Sequence, residues 1–196
     1  MIRILDIKTQ KTRARHAAKL RRAELMAADD FDMLASSLGL MEHFPAIAAR
    51  GAVIGGIWPL PGEIDPRPLM RALSDLGHSL ALPCTPRKGK PLTFRAWTPG
   101  DKLKGGPYGT SEPYPERSIL RPDFVLVPML AFAPSGARLG YGGGFYDRTL
   151  AELRADGRDC FACGIAFAGQ EMDTLPTDEY DIRLDAILTD KFYRTF

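Results

Sequence analysis

The chain lacks the features that announce several large classes of protein. It has no apolar run of the ~18 residues a bilayer-crossing helix needs, so no membrane span is expected. Its first residues lack the apolar core of a secretory leader. Cysteine is scarce: Cys84, Cys160 and Cys163 cannot form a disulfide framework, which points to a reducing, cytoplasmic setting. Cys160 and Cys163 have C-x-x-C spacing, but no second cysteine pair or nearby histidine completes a zinc set. They lie in an apolar run and read as buried structural thiols. Charge of either sign is also nearly balanced, at a formal net of +2, so net charge says little about partners. Its distribution says more. Eight Lys/Arg fall between Arg3 and Arg22, opposed only by Asp6.

What is present alternates. Asp6 to Asp29 has helical composition, without Pro or Gly. Lys8, Lys11, Arg15, Lys19 and Arg22 recur there at steps of three or four, which places them on one face. Such a face suits either a solvated helix or an arm presenting cations to polyphosphate. It carries no aromatics of the kind that stack on nucleic-acid bases. Residues from Phe31 to about Ala49 read as a second helix or helix pair, broken at Gly39 and Pro45. From Ala52 to Pro83 the order is strand, Pro/Gly loop, helix, strand, the form of a βαβ unit. Leu92–Trp97 alternates as a strand with one wet face. Pro99 to Pro115 is a long Gly/Pro/Tyr-rich segment of the sort that is functional or mobile. Phe124–Pro128, Phe161–Phe167 and Asp185–Thr189 read as buried strands, with a helix from Phe145 to Ala155. The expected fold is α/β: a three-layer α/β/α sandwich around a largely parallel sheet, with an N-terminal basic helix. A single domain over residues 1–196 is expected, its helical part at 1–50 and its α/β body at 51–196.

Between two of those strands lies the densest signal. Gly136 to Gly144 holds five of the 19 glycines and leads into Phe145-Tyr146-Asp147-Arg148. Glycines let backbone N–H groups approach an anion, and a following helix N-terminus adds partial positive charge. Arg138 and Arg148 add full charges, and Asp147 offers a hard oxygen ligand. No Lys follows Gly144, so the stretch is not a P-loop, and neither possible register satisfies G-x-G-x-x-G. From the residues alone, a ligand-free turn and a phosphate-and-metal loop both stay open.

The text from Leu126 to Arg148, LVPMLAFAPSGARLGYGGGFYDR, closely resembles the signature of the 5-formyltetrahydrofolate cyclo-ligase family, also called 5,10-methenyltetrahydrofolate synthetase. Lys11-x-x-x-Arg15, Trp58-Pro59-Leu60-Pro61-Gly62-Glu63, Leu92-x-Phe94-x-x-Trp97, Glu112-Pro113 and Gln170…Leu175-Pro176…Asp181…Leu184-Asp185 resemble its other landmarks, in family order. The resemblance implies an enzyme. It would convert 5-formyltetrahydrofolate to 5,10-methenyltetrahydrofolate with ATP and Mg²⁺, releasing ADP and phosphate.

The same resemblance assigns Arg138, Leu139, Gly140, Tyr141, Gly142, Gly143, Gly144, Phe145 and Tyr146 to ATP, with Lys11 and Arg15 reaching it from the first helix. Arg138 and Asp147 would be catalytic. Asp147 and Asp181 would hold Mg²⁺, and Trp58 and Glu63 the folate. The implied partners are ATP and 5-formyltetrahydrofolate, with no nucleic acid and no membrane, in a monomer or small homo-oligomer. Two departures stand out. Ala133 replaces a frequent Asp, which would weaken a loop-fixing hydrogen bond, and Tyr180 replaces a frequent His. With His16, His43 and His78 the only histidines, no His general base is expected. A non-enzymatic folate- or nucleotide-binding paralogue and, more weakly, a nucleic-acid binder are the competing readings.

Overall fold

The computed structural model describes residues 6–45 and 51–196. The expected continuation of the second helix to Ala49 lies outside them. Helix α1 spans Ile7–Met26, and the Asp6 carboxylate caps it by accepting from the Thr9 N–H. Helix α2 spans Met33–His43, capped by Asp32 through the N–H groups of Leu34 and Ala35. Gly39 does not break it. A methyl group there would run into the Asp190 carbonyl, so glycine serves close approach of helix to backbone.

The body follows in chain order: β1 (Val53–Gly55), α3 (Arg67–Asp75), β2 (Ser79–Cys84), β3 (Thr93–Ala96), β4 (Lys104–Gly105), β5 (Ser111–Glu112), β6 (Phe124–Pro128), β7 (Ala131–Phe132), β8 (Arg138–Leu139), α4 (Phe145–Arg154), β9 (Phe161–Ala166), β10 (Ala186–Thr189) and β11 (Tyr193–Thr195). The main sheet has the order β11-β10-β9-β6-β1-β2-β3. Its inner pairs are parallel, from β10 through β9, β6 and β1 to β2. Strands β3 and β11 close the edges antiparallel.

Side chains alternate across this sheet into two cores. On one face Ile54, Leu80, Leu82, Leu126 and Ile165 meet Leu40 of α2 and Leu69, Met70 and Leu73 of α3. On the other, Val125, Val127, Ala162 and Ile187 meet Leu150 and Leu153 of α4. The layers are therefore α/β/α, as the alternation of strands and helices predicts. Cys160 and Cys163 are buried free thiols. Burial pushes Cys160 up to about 11 and Cys163 higher still, which makes both inert near neutrality.

Strand order decides where a ligand can sit. The chain leaves β1 toward β2 through α3 on one face, and leaves β6 toward β9 through α4 on the other. Strands β1 and β6 are neighbours, so their outgoing loops part in opposite directions. That divergence opens a crevice at the carboxyl edge of the sheet, the usual ligand position in open α/β folds. Residues 56–66 line one side of it and residues 129–144 the other.

The second segment contains the β7–β8 hairpin, which a strand-by-strand reading of the sequence misses because each arm is two residues long. Ala133 stands at its turn. The Ala133 N–H donates to the Ala137 carbonyl and the Gly136 N–H to that of Ala133. The Ser135 hydroxyl adds to these by accepting from the Ala137 N–H at 3.4 Å, so the turn is closed without a polar side chain at Ala133. Among the described residues, no helix is long and apolar enough to cross a membrane.

Candidate active site

Helix α1 lies across the hairpin and the glycine loop. One stripe does the docking. Ala14 and Ala18 pack against Leu130, Ala131 and Leu139, and Lys11, Arg15 and Arg22 lie on the same side. Lys8 and Lys19 are exposed, so the basic face expected from spacing divides into docked and solvated members. Lys11, only 8% exposed, donates from Nζ to Asp178 Oδ2 at 2.7 Å and to Asp181 Oδ2 at 2.6 Å. Burial opposes its charge, yet the two carboxylates outweigh that and hold the ammonium above its ordinary range. Arg15 Nε donates to the Gly140 carbonyl at 3.0 Å, and its guanidinium lies over Gly142.

At the start of α4 the helix N–H groups are left without a side-chain cap. Gly144 is the N-cap residue, with φ 64°. Gly142 has φ 98°, a conformation L side chains rarely adopt, and nothing lies within 4 Å of where a Cβ on Gly140 would stand. Arg148 donates to the Gly143 carbonyl at 2.7 Å, which braces the loop from behind. Arg138 is 7% exposed. It donates to Asp147 Oδ1 at 2.6 Å and to the Ile182 carbonyl. Burial pulls its guanidinium down from the ordinary value, and Asp147 and then Asp181 pull it back. The Ile182 N–H also donates to Asp147 Oδ1, at 3.2 Å. Arg138 thus ties the first turn of α4 to the segment before β10.

Across the crevice, Glu63 is 9% exposed at the end of the loop after β1. Its Oε2 accepts from the Leu60 N–H at 2.8 Å. Its Oε1 accepts from the Tyr141 hydroxyl at 2.6 Å, and that hydroxyl accepts from Arg22 at 2.8 Å. Trp58 packs edge-on against Trp97, with ring centroids 6.1 Å apart, and the Arg67 guanidinium covers its face at 4.9 Å.

The expected nucleotide residues divide by environment. Gly140 to Gly144 face outward or are half-buried. Leu139 is buried under α1 and its carbonyl accepts from the Leu130 N–H, so its backbone is engaged in the hairpin. The Tyr146 ring packs into both cores; burial and the charge of Glu63 push its phenol well above the ordinary range. Phe145 meets Tyr108 of the 99–115 segment at 6.1 Å. That segment is tied to the end of β2 by Glu112, which accepts from the Thr85 N–H and the Thr110 hydroxyl.

Sequence reasoning missed Asp178. Spacing placed Arg22 on the basic face and the resemblance assigned Tyr141 to the nucleotide, but neither showed that Arg22 donates to the Tyr141 hydroxyl, or that this hydroxyl donates to Glu63. Nothing local flags the pairing of Lys11 with Asp178, across 167 positions. Gln170, a landmark in the sequence, braces the crevice floor by donating to the carbonyls of Met129 and Leu130. Tyr180, at the other departure, is 76% exposed.

A family model for the 5-formyltetrahydrofolate cyclo-ligase family matches residues 7–190. This chain belongs to that family. A 5-formyltetrahydrofolate cyclo-ligase of Haemophilus influenzae is 33% identical over 132 residues, covering 65% of this chain and 70% of that protein. One of Escherichia coli is 32% identical over 155 residues, covering 76% and 83%. The solved structure of Aquifex aeolicus 5,10-methenyltetrahydrofolate synthetase superposes with a TM-score of 0.72 at 27% identity, over 94% of this chain and 92% of that one. The matched span of the cyclo-ligase family model includes every element from α1 to β10 that borders the crevice.

Proposed function

We propose that this cyclo-ligase converts 5-formyltetrahydrofolate to 5,10-methenyltetrahydrofolate at the β1–β6 crevice, driven by ATP and Mg²⁺. The observation that carries the reading is the Tyr141–Glu63 hydrogen bond of 2.6 Å. It joins the loop suited to a triphosphate with the carboxylate suited to the donor edge of a pterin. A reaction that moves a phosphoryl group between two bound substrates needs those two subsites in contact.

The chemistry asks for positioning. A formyl oxygen is a poor leaving group, and phosphorylation makes it a good one. The neighbouring N10 then closes the five-membered ring and phosphate departs. Gly140 to Gly144 and the uncapped start of α4 provide N–H donors for the phosphates. Arg15 and Lys11 hold the loop and its counter-charges from above. Glu63 orients the pterin through charge-assisted hydrogen bonds, and Trp58 packs near the ring.

Among the described residues, no group of three or more His, Cys, Asp or Glu side chains forms a cage for a metal ion. The donors fit Mg²⁺ carried by a nucleotide. Asp147 and Asp181 both act on the Arg138 guanidinium, and this small cation takes one or two carboxylates with phosphate oxygens and water. When bound, Mg²⁺ would neutralise charge developing on the triphosphate. Asp147 and Asp181 would hold it, while Arg138 stays fixed by the Ile182 carbonyl. The free thiols fit a reducing cytoplasm, and the whole chain serves as one catalytic domain.

The test is direct. Protein, MgATP and 5-formyltetrahydrofolate are mixed, and the near-UV absorbance of the methenyl product is followed. Its appearance, dependent on ATP, supports the reading; no product at high protein concentration sinks it.

A further inference from the structure

Beside Glu63 the crevice is narrow. The cavity beside Glu63, lined by Arg22, Ile57, Met129, Ile165 and Gln170, has about 10 Å³, room for a single water. A pterin ring cannot reach the carboxylate until part of that wall moves. Ile57, Met129 and Ile165 are core residues and Gln170 is held by two backbone carbonyls, so they stay. Arg22 is half-buried, and Tyr141, which covers Glu63 from outside that lining through its hydrogen bonds to Glu63 and Arg22, is 43% exposed. Tyr141 also sits between Gly140 and Gly142, on the most deformable backbone in the site.

The hydrogen bonds run in one direction, from the Arg22 guanidinium to the Tyr141 oxygen and from the Tyr141 hydroxyl to Glu63. A phenol has a single proton to donate, and here Glu63 takes it. Burial, with the charge of Glu63 behind it, pushes the phenol well above its ordinary range, so it remains a donor at any working pH. Tyr141 therefore supplies the carboxylate with the kind of partner a pterin offers, an N–H or O–H aimed at a carboxylate oxygen.

We infer that the Tyr141 hydroxyl is a placeholder for the folate at Glu63, exchanged for the pterin's N–H donors on binding, and that this exchange couples the folate and nucleotide subsites. The inference rests on the function proposed above. Its physical content is an equilibrium. In the latched state Glu63 is occupied, and the glycine loop is tied both to it and, through Gly140, to Arg15. Folate binds only the unlatched state. A nucleotide that draws the loop amides onto its phosphates favours the same state. Each ligand then relieves the other of the cost of unlatching, so the two bind with positive cooperativity. Tyr141 is a positioning residue in this scheme, acting on the substrate through Glu63.

Calorimetry tests it, with 5-formyltetrahydrofolate titrated in the presence and absence of Mg²⁺ and a non-hydrolysable ATP analogue. For the unaltered protein, nucleotide tightens folate binding by about fivefold or more. Tyr141→Phe, checked for folding by its thermal melt, binds folate more tightly without nucleotide and loses the coupling. Arg22→Gln, which removes the donor that holds the phenol, shifts both quantities in the same direction. Unchanged coupling in Tyr141→Phe overturns the inference. So does folate binding weakened equally with and without nucleotide, which would mean that Tyr141 merely props Glu63. Failure of the underlying function looks different: the unaltered protein would not bind folate, or Glu63→Gln would bind it as well as the unaltered protein does.

Discussion

At the scale of single residues the site is built from ion pairs that do two things each. Arg138 is buried with Asp147 as its charged partner, and Asp147 is also a proposed Mg²⁺ ligand. Asp147→Asn is therefore expected to lose activity, with partial recovery at high Mg²⁺, and to lose about 1–3 kcal/mol of stability from the unpaired guanidinium. Rates across a Mg²⁺ titration, with a urea melt of the same variant, separate the two effects. An unchanged rate at limiting Mg²⁺ would refute the ligand role. Asp65 and Arg67 form a second such pair: Asp65 accepts from both the N–H and the guanidinium of Arg67, which lies over Trp58. Burial raises the Asp65 carboxyl, but the hydrogen bonds from Arg67 outweigh it and leave it below the ordinary range. A depressed carboxylate contributes stability above its unfolded value of about 3.9, lost as pH falls through the lower folded value. Tryptophan fluorescence should therefore change in an acid step below pH ~3.9 that is missing in Asp65→Asn. An identical step in that variant would assign the change elsewhere. None of these partners is legible as a partner in the sequence, except Asp65 and Arg67, which are two positions apart.

At the scale of elements, the glycine loop and α1 form one unit. Arg15 fills the space a side chain at Gly142 would need: a Cβ there would lie 3.2 Å from the Arg15 Cζ, at φ 98°. Gly142→Ala is expected to combine backbone strain of about 1–3 kcal/mol with displacement of Arg15. Since the loop is exposed, its effect should fall on ATP more than on folding. A raised KM for ATP beside a fall of a few degrees in melting temperature is the expected result; the same fall with an unchanged KM would make Gly142 structural. Periodicity placed α1, α3 and α4 well, because each has a helical apolar or charged stripe. It failed at Gly39, where close packing on Asp190 outweighs the low helix propensity of glycine. It also failed at the β7–β8 hairpin, whose arms are too short to show alternation.

At the scale of the whole molecule, stability and function occupy different layers. Strands β6 and β9 are apolar and covered on both faces, whereas α1 buries only Lys11 and Ala18 and is held largely by charge. Hydrogen exchange should be slowest in β6, β9 and β10 and fastest, among the helices bordering the crevice, in α1. Comparable protection of α1 and the central strands would contradict this division. A nucleotide that adds contacts to the Lys11 and Arg15 face should slow exchange in α1 without altering the strands.

The sequence by itself determined the α/β class and the layers, and through its motifs the family. Those depend on local propensity, on periodicity and on residue types close together in the chain. Only the tertiary structure decided what meets at the crevice. Strand order brings β1 beside β6, so Glu63 and Tyr141, 78 positions apart, share a proton donor and acceptor. It also sets Lys11 between Asp178 and Asp181 near the other end of the chain. A hydrogen bond or ion pair depends on distance in space, and the path of the chain between its partners leaves no periodic trace for a sequence to carry.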